Sequence, residues 1–154
     1  MRIILFAIIL ILSFNSVALS FELPDEISSW HSVNEQVVNL IPSSTGENLG
    51  RFVYKDYSLG KKTLKIILAE GVGAGELYVP EKLNDSKGLM PSEADYKIVD
   101  IAGKKSILEI RSFMPLALAV KLDDNSSLTI ESFALNETEI VKFAEELLTW
   151  KNIN

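Results

Sequence analysis

Few residues in this chain could do chemistry, and their spacing restricts them further. Among 154 residues there is one histidine, His31, and no cysteine. Zinc and copper sites lean on those two residue types, and a Ser-His-Asp arrangement would have to be built around this single imidazole. His31, next to Trp30, therefore reads as a surface or half-buried structural residue. Without a thiol, redox and thiolate chemistry is excluded. No catalytic residue, metal ligand or cofactor is assigned.

Gly71-Val72-Gly73-Ala74-Gly75 has the look of a nucleotide-binding loop. Such a loop needs a helix to start there, so that its N-terminus faces the phosphates. The residues that follow, Glu76-Leu77-Tyr78-Val79-Pro80, are strand-like and are soon broken by proline. The segment is expected to be a bulged connection that lets backbones pass closely, or the rim of a pocket. Paired carboxylates remain as an enzymatic option, for instance Glu70 with Glu76 or Asp56 with Glu109. Glycosidase-like hydrolysis needs only two carboxyl groups at a set separation, and an acidic chain offers many pairs. Asp123-Asp124-Asn125 lacks the spaced oxygen ligands of a calcium loop and reads as a hairpin turn. Asn84, Asn125 and Asn136 stand in glycosylation acceptor patterns, which matter only where exported chains are glycosylated.

The elements that must position these residues begin after residue 20. Arg2, ten apolar residues from Ile3 to Leu12, and then small residues form the three parts of a secretory signal. Ala18 and Ser20 fit a cut before Phe21, and Ser16 and Ala18 fit a cut before Leu19. The apolar run is shorter than the roughly 18 residues of a spanning helix, so a signal peptide over 1–20 is expected rather than a membrane anchor. Residues 21–154 are then a single α+β domain, exported to the periplasm or the extracellular space. The net charge of −6 argues against nucleic acid and anionic membranes, because phosphate contacts need clustered Lys and Arg. A chain of this length can bury a true core without disulfides.

Leu23 to Ile27 reads as an opening turn, with a helical turn started by Pro24 as one form of it. Trp30 to Ile41 suits a strand. Three hairpins follow: Phe52–Tyr57 with Thr63–Ala69, Tyr96–Ile101 with Ser106–Arg111, and Leu116–Leu122 with Ser127–Phe133, each pair separated by turn residues. Gly60-Lys61-Lys62 and Gly103-Lys104-Lys105 echo each other, which shared turn physics explains without a duplication. Pro80 to Pro91 is linker-like. Asn136 with Glu139 predicts a capping box, and Ile140, Phe143, Ala144, Leu147 and Leu148 recur at helical spacing. The prediction is an antiparallel sheet of six or seven strands with a C-terminal amphipathic helix on one face.

Met114 to Val120 does not alternate, and a run apolar on both sides implies a strand covered on both sides. One helix covers one face. Residues 21–41, the 80–95 segment, a second copy or a ligand must close the other.

From Ile101 to Leu148 the order is strand, Gly-Lys-Lys turn, two strands, an acidic turn, a strand, and the helix opened by Asn136-Glu137-Thr138-Glu139-Ile140. This resembles the ends of small exported microbial domains of unknown function, in which a β-meander is closed by a helix. The resemblance implies partner or ligand binding in the cell envelope, with no catalytic residues to carry over. The expected function is an exported non-enzymatic module that binds a protein partner or a small apolar ligand, with a homodimer as a further candidate. The alternative is a small extracytoplasmic hydrolase that uses a carboxylate pair. Trp30, Tyr54, Tyr57, Tyr78 and Tyr96 are the aromatic candidates for the contact surface.

Overall fold

Hairpins that alternate apolar with polar residues can zip only with their neighbours, and the computed structural model shows them doing so. It describes residues 21–77 and 94–150. The strands are β1 (Glu26–Ile27), β2 (Trp30–Asn39), β3 (Gly50–Leu59), β4 (Lys62–Gly71), β5 (Ala94–Ile101), β6 (Lys104–Arg111), β7 (Leu116–Asp123) and β8 (Ser126–Ser132), followed by the helix α1 (Glu137–Trp150). All eight strands form one antiparallel sheet in the order β1-β2-β3-β4-β8-β7-β6-β5. Two meanders, β1 to β4 and β5 to β8, thus meet along a central seam between β4 and β8.

The three predicted hairpins are present, and the sheet has one strand more than the largest number predicted. That strand is β1, in place of the opening turn expected over Leu23 to Ile27. Tertiary partners take the backbone groups a helical turn would have used. The Pro24 carbonyl accepts from the Tyr57 hydroxyl at 2.5 Å, and the Asp25 carbonyl accepts from the Ser32 amide at 2.8 Å. The segment therefore runs extended.

The two Gly-Lys-Lys turns share residues but not geometry. Gly60 is the first central residue of its two-residue turn, with φ 61°, whereas Gly103 is the second of its own, with φ 77°, behind Ala102 at 53°. These are the two ways a two-residue hairpin matches the twist of its strands. The echo is a coincidence of composition.

Register sorts the side chains into two faces. Val53, Leu68, Leu128 and Val120 are successive cross-strand partners, as are Lys55, Ile66, Ile130 and Leu118. Apart from Lys55 these are core residues, all but Val53 wholly buried, and burying each such side chain contributes roughly 1.5–3 kcal/mol. Ile140, Phe143, Ala144, Leu147 and Leu148 of α1 close over them. Asn136 caps the helix as predicted: its Oδ1 accepts from the Glu139 amide at 3.0 Å, and Glu139 Oε2 accepts from the Asn136 amide at 3.1 Å. Lys62 grips the same Glu139 carboxylate, and with the Asn136 amide it holds that carboxyl below the usual glutamate range.

Residues 21–29 lie on this same face. Phe21, Leu23 and Ile27 join its core, so the N-terminal segment extends the cover begun by α1 and does not cross to the other face. On that face Ile107, the cross-strand partner of Ala119, is only 5% exposed, and most of the 80–95 segment expected as a cover lies outside the described residues. Leu118 and Val120 are buried beneath the helix, while Ala117 and Ala119 are half-buried on the second face. Ala117 and Ala119 are the small side chains that make that run look apolar throughout.

Candidate binding face

Two rows of cross-strand partners build the second face. One runs Tyr54, Ile67, Thr129, Ala119, Ile107 and Ile98; beside it run Asp56, Lys65, Glu131, Ala117, Glu109 and Tyr96. Ala117 and Ala119 are short where their neighbours are long, so β7 becomes the floor of a trough. Ile107, Glu109 and Tyr96 wall it on one side, and Ser127, Thr129 and Glu131 on the other. Its volume is about 310 Å³, with Glu76 and Leu77 at the rim. Toward β2, Phe52 and Tyr54 lie on one side of β3 with ring centroids 6.2 Å apart, forming a half-exposed aromatic shelf with Ile67 and Ala69.

The aromatic candidates divide between the two faces. Tyr54 belongs to the shelf and Tyr96 to the trough wall. Trp30 and Tyr57 are core residues, both packed edge-on against Phe143 at 5.5 and 6.1 Å, so as residues 7% and 0% exposed they offer a partner little surface. Tyr78 lies outside the described residues, as does the linker-like segment from Pro80 to Pro91. Two aromatics that the sequence reading left out are exposed at one end of the sheet: Phe133, 79% exposed, and Phe113, fully exposed with φ 65°. A bulky residue held at positive φ is strained by about 1–3 kcal/mol. Phe133 joins Val33 and Pro115 around a second depression of about 420 Å³. Both aromatics stand at or just beyond strand ends, where alternation no longer dictates burial.

Tyr96, Glu109 and Arg111 form a compact polar cluster on the trough side. Arg111 pairs with Glu109, its Nη2 donates to the Tyr96 hydroxyl at 3.2 Å, and that hydroxyl donates to Glu109 Oε1 at 3.3 Å. The Tyr96 bond is the main cause holding the Arg111 guanidinium above its already high value. The proposed acid pairs are not brought together. Asp56 and Glu109 sit four strands apart in one row, about 19 Å by strand spacing, against the 5–9.5 Å that two-carboxylate hydrolysis uses. Glu70 is bound by Arg51 at 2.5 Å on the helix side, whereas Glu76 stands on the trough rim.

The glycine-rich stretch has a structural task. The Gly71 amide donates to the Asn125 carbonyl at 2.9 Å, and the Gly75 amide to the Asp124 carbonyl at 3.3 Å. A Cβ on Gly75 would lie 1.7 Å from the Asp123 carbonyl oxygen. The stretch folds against the β7–β8 turn and, through Gly71 and Val72, rims an open depression of about 740 Å³. Asp123-Asp124-Asn125 is that hairpin turn, with Asp123 Oδ1 accepting from the Asn125 amide at 2.7 Å. His31 is exposed on β2, its Nδ1 4.0 Å from Glu26. Among the described residues no group of three or more His, Cys, Asp or Glu is placed to hold a metal ion, and no helix is long and apolar enough to cross a membrane.

Among the described residues, one charged group on the helix side is interior. Lys55 is 3% exposed, and its Nζ donates to the Leu23 carbonyl at 3.0 Å and lies 2.8 Å from both Asp25 and Glu35. Burial works against its charge, but hydrogen bonds to Asp25 and Glu35 outweigh that and hold the ammonium above the ordinary lysine value. The Lys55 hydrogen bond likewise lowers the Asp25 carboxyl. Burial, with the charges of Asp25 and Glu35, raises the Tyr57 phenol.

No protein family, curated protein or solved structure matches this chain.

Proposed function

We propose that the chain is an exported, non-enzymatic module of the periplasm or extracellular space, binding a protein partner or an apolar ligand on the second face of its sheet. One observation carries the reading. Residues 21–29 and α1 both lie on the same face, so the trough over Ala117 and Ala119 and the shelf of Phe52 and Tyr54 have little cover among the described residues. Concave, partly apolar surface with a few fixed polar groups is what small ligands and partner side chains occupy. The signal-like residues 1–20 support the exported location. The hydrolase alternative now falls to Glu109 and Glu131, two strands apart, and Arg111 and Tyr96 already occupy the Glu109 carboxylate.

Titration of the folded protein with a fluorescent fatty acid tests the ligand arm, and chemical crosslinking in envelope extracts tests the partner arm. Ala119→Arg fills the trough with a charged chain and is expected to weaken the interaction at least tenfold. Thr149→Ala, on the exposed side of α1, is expected to leave it unchanged. Binding indifferent to Ala119→Arg, or absent in both assays, sinks the proposal.

A further inference from the structure

We propose that export processing cuts the chain between Ser20 and Phe21, and that Glu70 and Arg51 form the site that receives the new α-ammonium group of Phe21. The inference rests on the exported reading above and adds a site to it. By small-residue spacing the cuts before Leu19 and before Phe21 are equivalent. The fold separates them.

The Phe21 nitrogen donates to Glu70 Oε1 at 3.1 Å in a part-buried position, and the Phe21 ring packs against the core. The second oxygen of Glu70 is held by Arg51 Nε at 2.5 Å. Arg51 and Glu70 are cross-strand partners on β3 and β4, so the sheet fixes the carboxylate. Glu70 is 18% exposed along its side chain and Arg51 35%. Downstream, Lys55 holds the Leu23 carbonyl and the Asp25 carboxylate, and Tyr57 holds the Pro24 carbonyl. Residues 23 to 25 are thus fixed to β3 just beyond the Phe21 nitrogen that meets Glu70.

Hydrolysis of the Ser20–Phe21 bond by the peptidase of the export machinery adds hydroxide from water to the Ser20 carbonyl and a proton to the Phe21 nitrogen. That amine takes a further proton at neutral pH. An amide offers Glu70 one neutral N–H, whereas the ammonium offers three donors and a positive charge. Charge-assisted hydrogen bonds are about twice as strong as neutral ones. Two cations would then share one carboxylate, and Asp123 and Asp124, which line the same depression as Arg51 and Glu70, supply further negative charge. A cut before Leu19 would carry the charge two residues away, up to about 7 Å along an extended chain, and leave an amide at Glu70.

The first test is to express the chain with its own leader in an exporting host and to determine the intact mass and N-terminal sequence of the folded product. A product starting at Phe21 is expected. One starting at Leu19 overturns the site and leaves export standing, whereas one retaining Met1 overturns both. The second test compares Tm for chains starting at Phe21 and at Leu19, each with Glu70 and with Glu70→Gln. The extension is expected to lower Tm by about 3 °C with Glu70 and by less than about 1 °C with Glu70→Gln. Equal shifts in the two backgrounds, or none, refute the ion pair. A third readout needs no substitution: acetylating the Phe21 amine is expected to reproduce the loss, and an unchanged Tm would overturn the proposal.

Discussion

The two faces of this sheet are made from the same strands and do opposite things. On the helix side, register puts branched aliphatic residues opposite one another across the central strands, and both chain-terminal segments of the described fold are used to cover them. On the other side, the same strands mix isoleucine with alanine, threonine, tyrosine, glutamate and lysine in rows, with a channel where the side chains are shortest. The difference shows that burial here is decided by where the covering segments go. Ile66 and Ile67 are neighbours in one strand, yet one is wholly buried and the other only half so.

The sharpest way to break that comparison is to truncate both. Ile66→Ala is expected to cost about 3–4 kcal/mol by urea denaturation, as for a buried aliphatic core residue. Ile67→Ala should cost about 1 kcal/mol or less. Equal losses would mean that the second face is as closed in solution as the first.

Next in size are the close backbone approaches between the two chain segments at Gly50 and Gly71. A Cβ at Gly50 would lie 2.1 Å from the Glu70 carbonyl oxygen, and one at Gly71 2.5 Å from that of Leu49, both at positive φ. Gly50→Ala and Gly71→Ala are each expected to lose about 2 kcal/mol. Gly60→Ala, with nothing within 4 Å, should lose about 1 kcal/mol from its positive φ alone. A capping loss of about 1 kcal/mol is likewise expected for Asn136→Ala, read as reduced Tm and helical circular dichroism.

Smallest is the expected effect of Lys55→Met at neutral pH, within about 1 kcal/mol, because Asp25 and Glu35, 94% and 46% exposed, are left in reach of water rather than as buried unpaired charges. Its pH dependence sharpens the comparison. Lys55 has a raised folded value, so its contribution is complete below the ordinary value of 10.5 and is lost as pH rises through the folded one. Asp25 has a lowered value, so its contribution is present above 3.8 and is lost as pH falls through the folded one. Tm of the native chain should fall at both extremes, and Lys55→Met should flatten the alkaline fall and part of the acid fall. Unaltered limbs would show that the charges of the helix face lie elsewhere.

How much of this was legible depended on distance along the chain. The capping box at Asn136, the stripe from Ile140 to Leu148 and the three hairpins are encoded by residues a few positions apart, and each stands where its pattern put it. Lys55 was missed, although its place between Val53 and Tyr57 turns it inward by period two, where a lysine demands acidic partners. The path of residues 21–29 was not readable, because the groups that hold it, Tyr57, Lys55 and Glu70, are 30 to 49 residues away. The trough was hidden for a related reason. Ala117 and Ala119 look like core until β6 and β8 are known to flank them with longer side chains.

The seam between β4 and β8 has a kinetic consequence. Each of the three predicted hairpins closes a turn of two residues, while Lys65 meets Glu131 across 66 positions of chain. The entropy of closing so long a loop grows with its length and must be met before the new contacts stabilise it. Each meander can zip from its own turns in microseconds, whereas their union waits for two preformed sheets to find one register. The central strands, the most deeply buried of the finished molecule, are thus its last edges to disappear.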